Sequence, residues 1–182
     1  MPVYNDVRTM SYYPDPELRK REIFKDITCT SVLDVGAGHG GVFDIDFWEN
    51  NPRVARKSAC DMFWIRDLPL GWSTQVGVDV CKLDEFYAPE SFDFVQCCEV
   101  LEHVPDPKKA LEQLVRVARK AVFITSADEM HHMGPEQDAI EQVNKYQAYI
   151  KQPSIQDLKD LGFEVRVEEF ERRQIIAWLI KE

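Results

Sequence analysis

The segment Ser31-Val-Leu-Asp-Val35 runs straight into Gly36-Ala37-Gly38-His39-Gly40-Gly41, an apolar stretch of strand length followed by a turn that glycine backbones make at little steric cost. Such a turn lets a ligand approach the main chain, and a helix N-terminus behind it adds unpaired N–H groups and positive potential. Two spacings coincide here. Gly36-x-Gly38-x-x-Gly41 fits the pattern that cradles a pyrophosphate, whereas Asp34-x-Gly36-x-Gly38-x-Gly40 sets a carboxylate beside the turn. A carboxylate opposes a diphosphate but suits a ligand carrying an ammonium and a sulfonium. A tight turn without a ligand is the third reading.

Further acids stand where later strands should end: Asp61 in SACDMF and Asp79 in VGVDV. In an open α/β sheet the carboxyl ends of the strands share one crevice, where ligands bind. Candidate acid–base groups are Glu99, His103, His131 and His132. Adjacent histidines on an extended chain face opposite ways, so no shared metal is expected at His131 and His132; one is a candidate base, and a solvated loop is the alternative. His103 either contacts a ligand or packs and caps. Asp93, opening a strand, is expected to brace the sheet. The cysteines at 29, 60, 81, 97 and 98 form an odd set without Cys-x-x-Cys spacing, which reads as buried thiols in a reducing compartment.

The elements that must position these groups alternate between strand and helix length, the mark of an α/β domain. Asp15 and Pro16 open a first helix with Leu18, Ile23, Phe24 and Ile27 on one side. Strands are expected at Ser31–Val35, Arg56–Met62, Thr74–Val80, Phe92–Cys98 and Lys120–Ser126, mostly apolar on both faces as buried parallel strands are. Asp106 and Pro107 open a helix whose Ala110, Leu111, Leu114, Val115 and Ala118 recur at helical spacing; Ser154 caps another that stops at Gly162. GGVFDIDFWENNP promises only a short or distorted helix. FWIRDLPLGWS, with Pro69 and Gly71, reads as a loop rather than a crossover helix.

Phe163, Val165 and Val167 alternate with charged residues, while Gln174–Ile180 is almost wholly apolar. Only about three residues separate the two, far short of the dozen a parallel crossover needs. They must form an antiparallel hairpin, the first strand at an edge and the second inside it. The whole is a Rossmann-like, doubly wound sheet of seven strands, mostly parallel, with an antiparallel C-terminal hairpin.

All 182 residues fit a single domain, and 22 basic against 32 acidic residues give a net charge of -10. That balance argues against an extensive nucleic-acid footprint. No apolar run reaches the roughly 20 residues of a membrane helix and no secretory signal is legible, so a cytoplasmic protein is expected. Oligomeric state is not legible.

The glycine turn with Asp34, the later acids, and above all ESFDFVQCCEVLEHVPDP with its Phe-Asp pair and Leu-Glu-His before a proline turn resemble class I S-adenosylmethionine-dependent methyltransferases (type 11-like). The resemblance covers residue 30 to the C-terminus. It implies S-adenosylmethionine as cofactor, held by Asp34, Gly36, Ala37, Gly38 and Gly40, by Asp61 on the ribose hydroxyls with Met62 beside it, by Asp79 on the adenine amino group with Val80, and by Cys97. It further implies methyl transfer to a small-molecule or carrier-linked acceptor, with His103, His131 and Glu99 as catalytic candidates and no metal. Asp61 lies 27 residues beyond Asp34, against about 20 for the usual ribose acid, so Asp67 is the alternative. Trp64 or Ile65 would lie against the adenine; Tyr4, Tyr12, Tyr13, Tyr146 and Tyr149 are candidates for a lid over the acceptor, with core or surface packing the alternative for each. A cofactor-binding module without chemistry and a nicotinamide oxidoreductase are the competing functions.

Overall fold

The computed structural model describes residues 20–21, 24–25, 27–38, 45–63, 65, 68–127, 153–169 and 173–181. Seven strands form one sheet: β1 (Ser31–Val35), β2 (Arg56–Asp61), β3 (Trp72–Val76), β4 (Phe92–Cys98), β5 (Ala118–Ala127), β6 (Glu164–Glu169) and β7 (Arg173–Ile180). Their order is β3-β2-β1-β4-β5-β7-β6. The ladders among β1 to β5 are parallel, and β7 runs antiparallel to both β5 and β6. The reversed strand thus lies one place inside the edge, as the short connection demanded. From β1 the chain winds one way to β2 and β3 and the other way to β4 and β5, so the crevice of this fold opens at the carboxyl ends of β1 and β4.

Strand alternation sends side chains to two apolar layers. Leu33, Val35, Val95, Cys97, Val122 and Ile124 face one layer. There they pack on helix α2 (Pro107–Val117) through Ala110, Leu111, Leu114 and Val117. Val32, Phe94, Ala121, Phe123 and Ile176 face the other, with Phe24 and Trp48 laid over them. Phe24 meets the Phe94 ring edge-on at 4.4 Å, and residues 20, 21 and 24 are helical, as the N-terminal periodicity predicted.

The caps are those read from sequence. Asp106 accepts the Lys109 N–H at 3.1 Å ahead of Pro107. Ser154 accepts the Asp157 N–H at 2.9 Å, opening α3 (Ile155–Asp160), and Gly162 ends it at φ +87°. Among the described residues after the glycine turn stands the five-residue α1 (Ile45–Glu49). Described residues between β2 and β3 form no helix.

Boundaries shift by a residue or two at β6 and β7 and differ at three other strands. β2 ends at Asp61, one residue early, and β5 starts at Ala118 because α2 passes into it without a linker. β3 is Trp72–Val76, not Thr74–Val80: Gly77, at φ +83°, turns the chain away, and Val78 and Val80 enter the core from beyond the ladder.

Asp93 braces the sheet as expected. Its Oδ2 accepts the Thr30 amide at 2.8 Å and the Thr30 hydroxyl at 2.7 Å, while Oδ1 meets Arg119 at 3.1 Å and Lys120 at 3.7 Å. Burial pushes this carboxyl up, but the two Thr30 bonds and the two cations outweigh it and hold it below its ordinary value. Removing a buried, bonded charge costs several kcal/mol, less here because Arg119 and Lys120 reach solvent. Asp93→Ala should lower unfolding stability at pH 7 by about 2–4 kcal/mol. A depressed folded pKa stabilises above the unfolded value, near 4, and that contribution fades as pH falls below it. Urea titrations of both proteins from pH 7 to 3 should therefore converge; a constant gap would show that the Asp93 charge contributes nothing.

Candidate functional site

Each chemistry-bearing residue near the crevice is fixed by backbone first. Gly36 and Ala37 donate to the Cys60 carbonyl at 2.8 and 3.2 Å, pinning the turn after β1 to the end of β2. Gly36, at φ +80°, is in the left-handed region, and a Cβ there would lie 2.2 Å from Val100 Cγ2. The Asp61 carboxylate closes the turn from the β2 side, accepting the Gly38 N–H on Oδ2 at 3.0 Å and the Phe63 N–H on Oδ1 at 2.8 Å. The amide a pyrophosphate would use is thus already bonded to a negative charge.

Asp34, 2% exposed, sits in β1 in register with Ala59 and Gln96. Asp79 is not at a strand end; it caps the 3₁₀ helix Val80–Glu85, accepting the Cys81 N–H on Oδ1 at 2.9 Å.

Glu99 follows β4 in a left-handed conformation, φ 56°, which a non-glycine residue adopts only at a cost of order 1 kcal/mol or more. Its N–H donates to the Thr125 carbonyl at 2.9 Å. Its Oε1 accepts both the Thr125 hydroxyl at 2.8 Å and the Gln174 amide Nε2 at 2.7 Å. Among the described residues nothing bonds Oε2. Gln174 is 4% exposed and its Oε1 has no hydrogen-bond partner, an omission that costs about 1–3 kcal/mol in a buried group.

Two buried polar groups went unread in the sequence. Lys20 is fully buried beneath the apolar helix face, donating to Gln96 Oε1 at 3.3 Å and lying 5.4 and 5.2 Å from the Phe47 and Trp48 rings. Trp48 Nε1 donates to the same oxygen at 3.1 Å.

Residues 8–166 match the family described as a methyltransferase domain. The chain belongs to that family. It is 32% identical over 110 residues to the ubiquinone biosynthesis O-methyltransferase of Idiomarina loihiensis, a match taking in 52% of this chain and 41% of the relative. The chain thus aligns with well under half the length of that curated relative. Among solved structures it is similar to a SAM-dependent methyltransferase from Aquifex aeolicus, at a TM-score of 0.57 and 19% identity over 90% of this chain and 88% of that one. Magnesium protoporphyrin IX methyltransferase from Synechocystis with bound SAH gives 0.58 and 15% over 92% and 81%. These likenesses establish the fold: a class I methyltransferase domain.

The methyltransferase domain brings Asp34, Gly36, Ala37, Gly38, Asp61 and Glu99 to one edge of the sheet. Met62 is 47% exposed just beyond Asp61. Val80 and Cys97 turn their side chains into the core, leaving them only backbone to offer a ligand; it is Cys98 that shares the face of Asp34. Burial and then the Asp34 charge push the Cys98 thiol up, and burial raises the Cys60 thiol to about 12. All five thiols are free, and none is drawn toward the nucleophilic thiolate. His103 ends the 3₁₀ turn Leu101–His103, half-buried, its N–H on the Val100 carbonyl at 2.9 Å. Glu102 beside it is 3% exposed and accepts the Ser126 hydroxyl at 3.1 Å, so the Leu-Glu-His segment is anchored to β5. Ile65 packs on the apolar layer under Phe24 and Trp48. Gly40, Trp64, Asp67, His131, His132 and the five lid aromatics lie outside the described residues. Among the described residues no cluster is arranged for a metal ion, and no helix is long and apolar enough to cross a membrane.

Proposed function

We propose that this domain transfers a methyl group from S-adenosylmethionine, in line, to a small-molecule or carrier-linked acceptor. The observation that carries the reading is the Asp61 carboxylate on the Gly38 amide. A diphosphate brought to that turn would face this charge at contact distance, whereas ribose hydroxyls donate to it. Asp79 Oδ2, outside the cap bond, fits an adenine amino group, and the buried Asp34 charge suits the cationic end of the cofactor.

The bound cofactor supplies a methyl carbon on a sulfonium, so one bond forms to the acceptor while the C–S bond breaks and leaves its electron pair on sulfur. What remains for the chain is alignment and removal of a proton, and alignment alone supplies effective molarities of about 10⁵–10⁸ M. Glu99, with Oε1 doubly bonded and Oε2 open, is the base that takes the acceptor's proton. The curated relative is named an O-methyltransferase, which supports oxygen as the methylated atom.

Calorimetric titration should show binding of S-adenosylhomocysteine and none of NAD(H); the opposite pattern would overturn the reading. Asp61→Ala should weaken S-adenosylhomocysteine by about 1–3 kcal/mol, some 5- to 150-fold. An unaltered dissociation constant would transfer the ribose contact to Asp67. Labelled methyl donor incubated with a metabolite extract then separates an enzyme from a binding module.

A further inference from the structure

We propose that Gln174 selects the methyl acceptor, and that the acceptor carries two adjacent polar hydrogens, on vicinal hydroxyls or on a primary amine. This rests on Glu99 being the base of a methyl transfer. The Gln174 amide has one workable orientation, because Nε2 donates to Glu99 Oε1 at 2.7 Å and the flipped amide would set two acceptors against each other. Its Oε1 is thereby fixed as an acceptor, shut off from solvent and without a partner.

Buried carbonyls in folded proteins nearly always find a donor, and here the described residues supply none. Through the shared bond, this oxygen and the open Glu99 Oε2 belong to one rigid pair at the carboxyl edge of the sheet. Thr125, fully buried, holds the Glu99 half. Two neighbouring acceptors ask for two neighbouring donors. One hydrogen goes to Glu99 Oε2 as the proton lost when the new bond to the methyl carbon forms; the second stays on the acceptor and satisfies Gln174 Oε1. A site with a buried group that only one substrate can satisfy discriminates strongly against the analogue lacking it.

The test is steady-state transfer from labelled S-adenosylmethionine by the full chain to catechol against phenol, and to benzylamine against N-methylbenzylamine. The two-hydrogen member of one pair should be preferred by about tenfold or more in kcat/KM; which pair responds tells hydroxyl from amine. Gln174→Leu, an apolar residue suited to this strand, should bring that ratio near one by raising KM for the preferred probe, and Gln174→Met should do the same should the leucine variant not fold. Thr125→Val, which removes the hydroxyl that bonds Glu99 and Cys98 and leaves Gln174 untouched, should lower kcat for both members alike and leave the ratio standing. A ratio unchanged in both Gln174 variants, or no transfer to any of the four probes by protein that binds S-adenosylhomocysteine, overturns the inference. Failure to bind S-adenosylhomocysteine overturns the methyltransferase reading itself.

Discussion

Glu99→Gln should cut methyl transfer by about 10²- to 10⁴-fold, the usual worth of a positioned general base, while S-adenosylhomocysteine binds as before. The substitution is chosen because the glutamine carbonyl can take over both bonds now made to Oε1, from Thr125 and Gln174. Only the open oxygen is replaced, by a nitrogen that cannot accept a proton. The backbone offers a second arm. Glu99→Gly relieves the strain at φ 56° but strands the buried Thr125 hydroxyl and Gln174 amide, so it should lower stability in urea by about 1–3 kcal/mol. Glu99→Gln, which keeps both bonds, should unfold as the wild type does even as turnover collapses. Loss of activity beside undiminished stability is the signature of a residue kept for chemistry. Wild-type turnover in both variants would mean that the acceptor reaches the site already deprotonated or that another group takes the proton.

What the sequence disclosed tracks what is local. Ser31–Val35 and Phe92–Cys98 read correctly to the residue because a strand covered on both faces is buried along its length and mostly apolar. The reversed hairpin followed from a linker too short for any other connection. β3 misled for the opposite reason: four of its five residues are exposed, so it carries little apolar signal, while Val78 and Val80, which do, lie past Gly77 in the core. Burial and ladder membership are different properties, and periodicity reports the first.

The site shows the same division. Asp34, Gly36, Gly38 and Asp61 are linked by one turn and one adjacent strand, a local arrangement that makes them candidates. Between Cys97, whose side chain faces the core, and Cys98, one residue changes the face of the strand. The clamp on Glu99 joins residues 26 and 75 positions apart, and the bond from Lys20 to Gln96 spans 76. No local pattern predicts those pairings. In hindsight the one signal is a polar residue, Gln174, opening an otherwise apolar strand.

Gly36→Ala should destabilise the domain by about 2–4 kcal/mol and lose most S-adenosylhomocysteine affinity, from two separable costs. The first is conformational: φ +80° is reached freely by glycine, and alanine there costs of order 1 kcal/mol. The second is steric. The new methyl would meet Val100 Cγ2 at 2.2 Å, with Cγ1 and Cβ at 3.1 and 3.2 Å, and valine, branched at Cβ, has no alternative rotamer that withdraws all three atoms. The main chain must yield, and with it the two amides that tie the turn to Cys60. Val100→Ala deletes both Cγ atoms, so in the double variant the steric part should be recovered while the conformational part persists. A double-mutant cycle in urea should then give a favourable coupling of about 1–3 kcal/mol, the overpacking term alone. Zero coupling would show that the turn relaxes away from Val100 on its own. The close approach of this glycine to the segment after β4 would then have no bearing on how the crevice is held open.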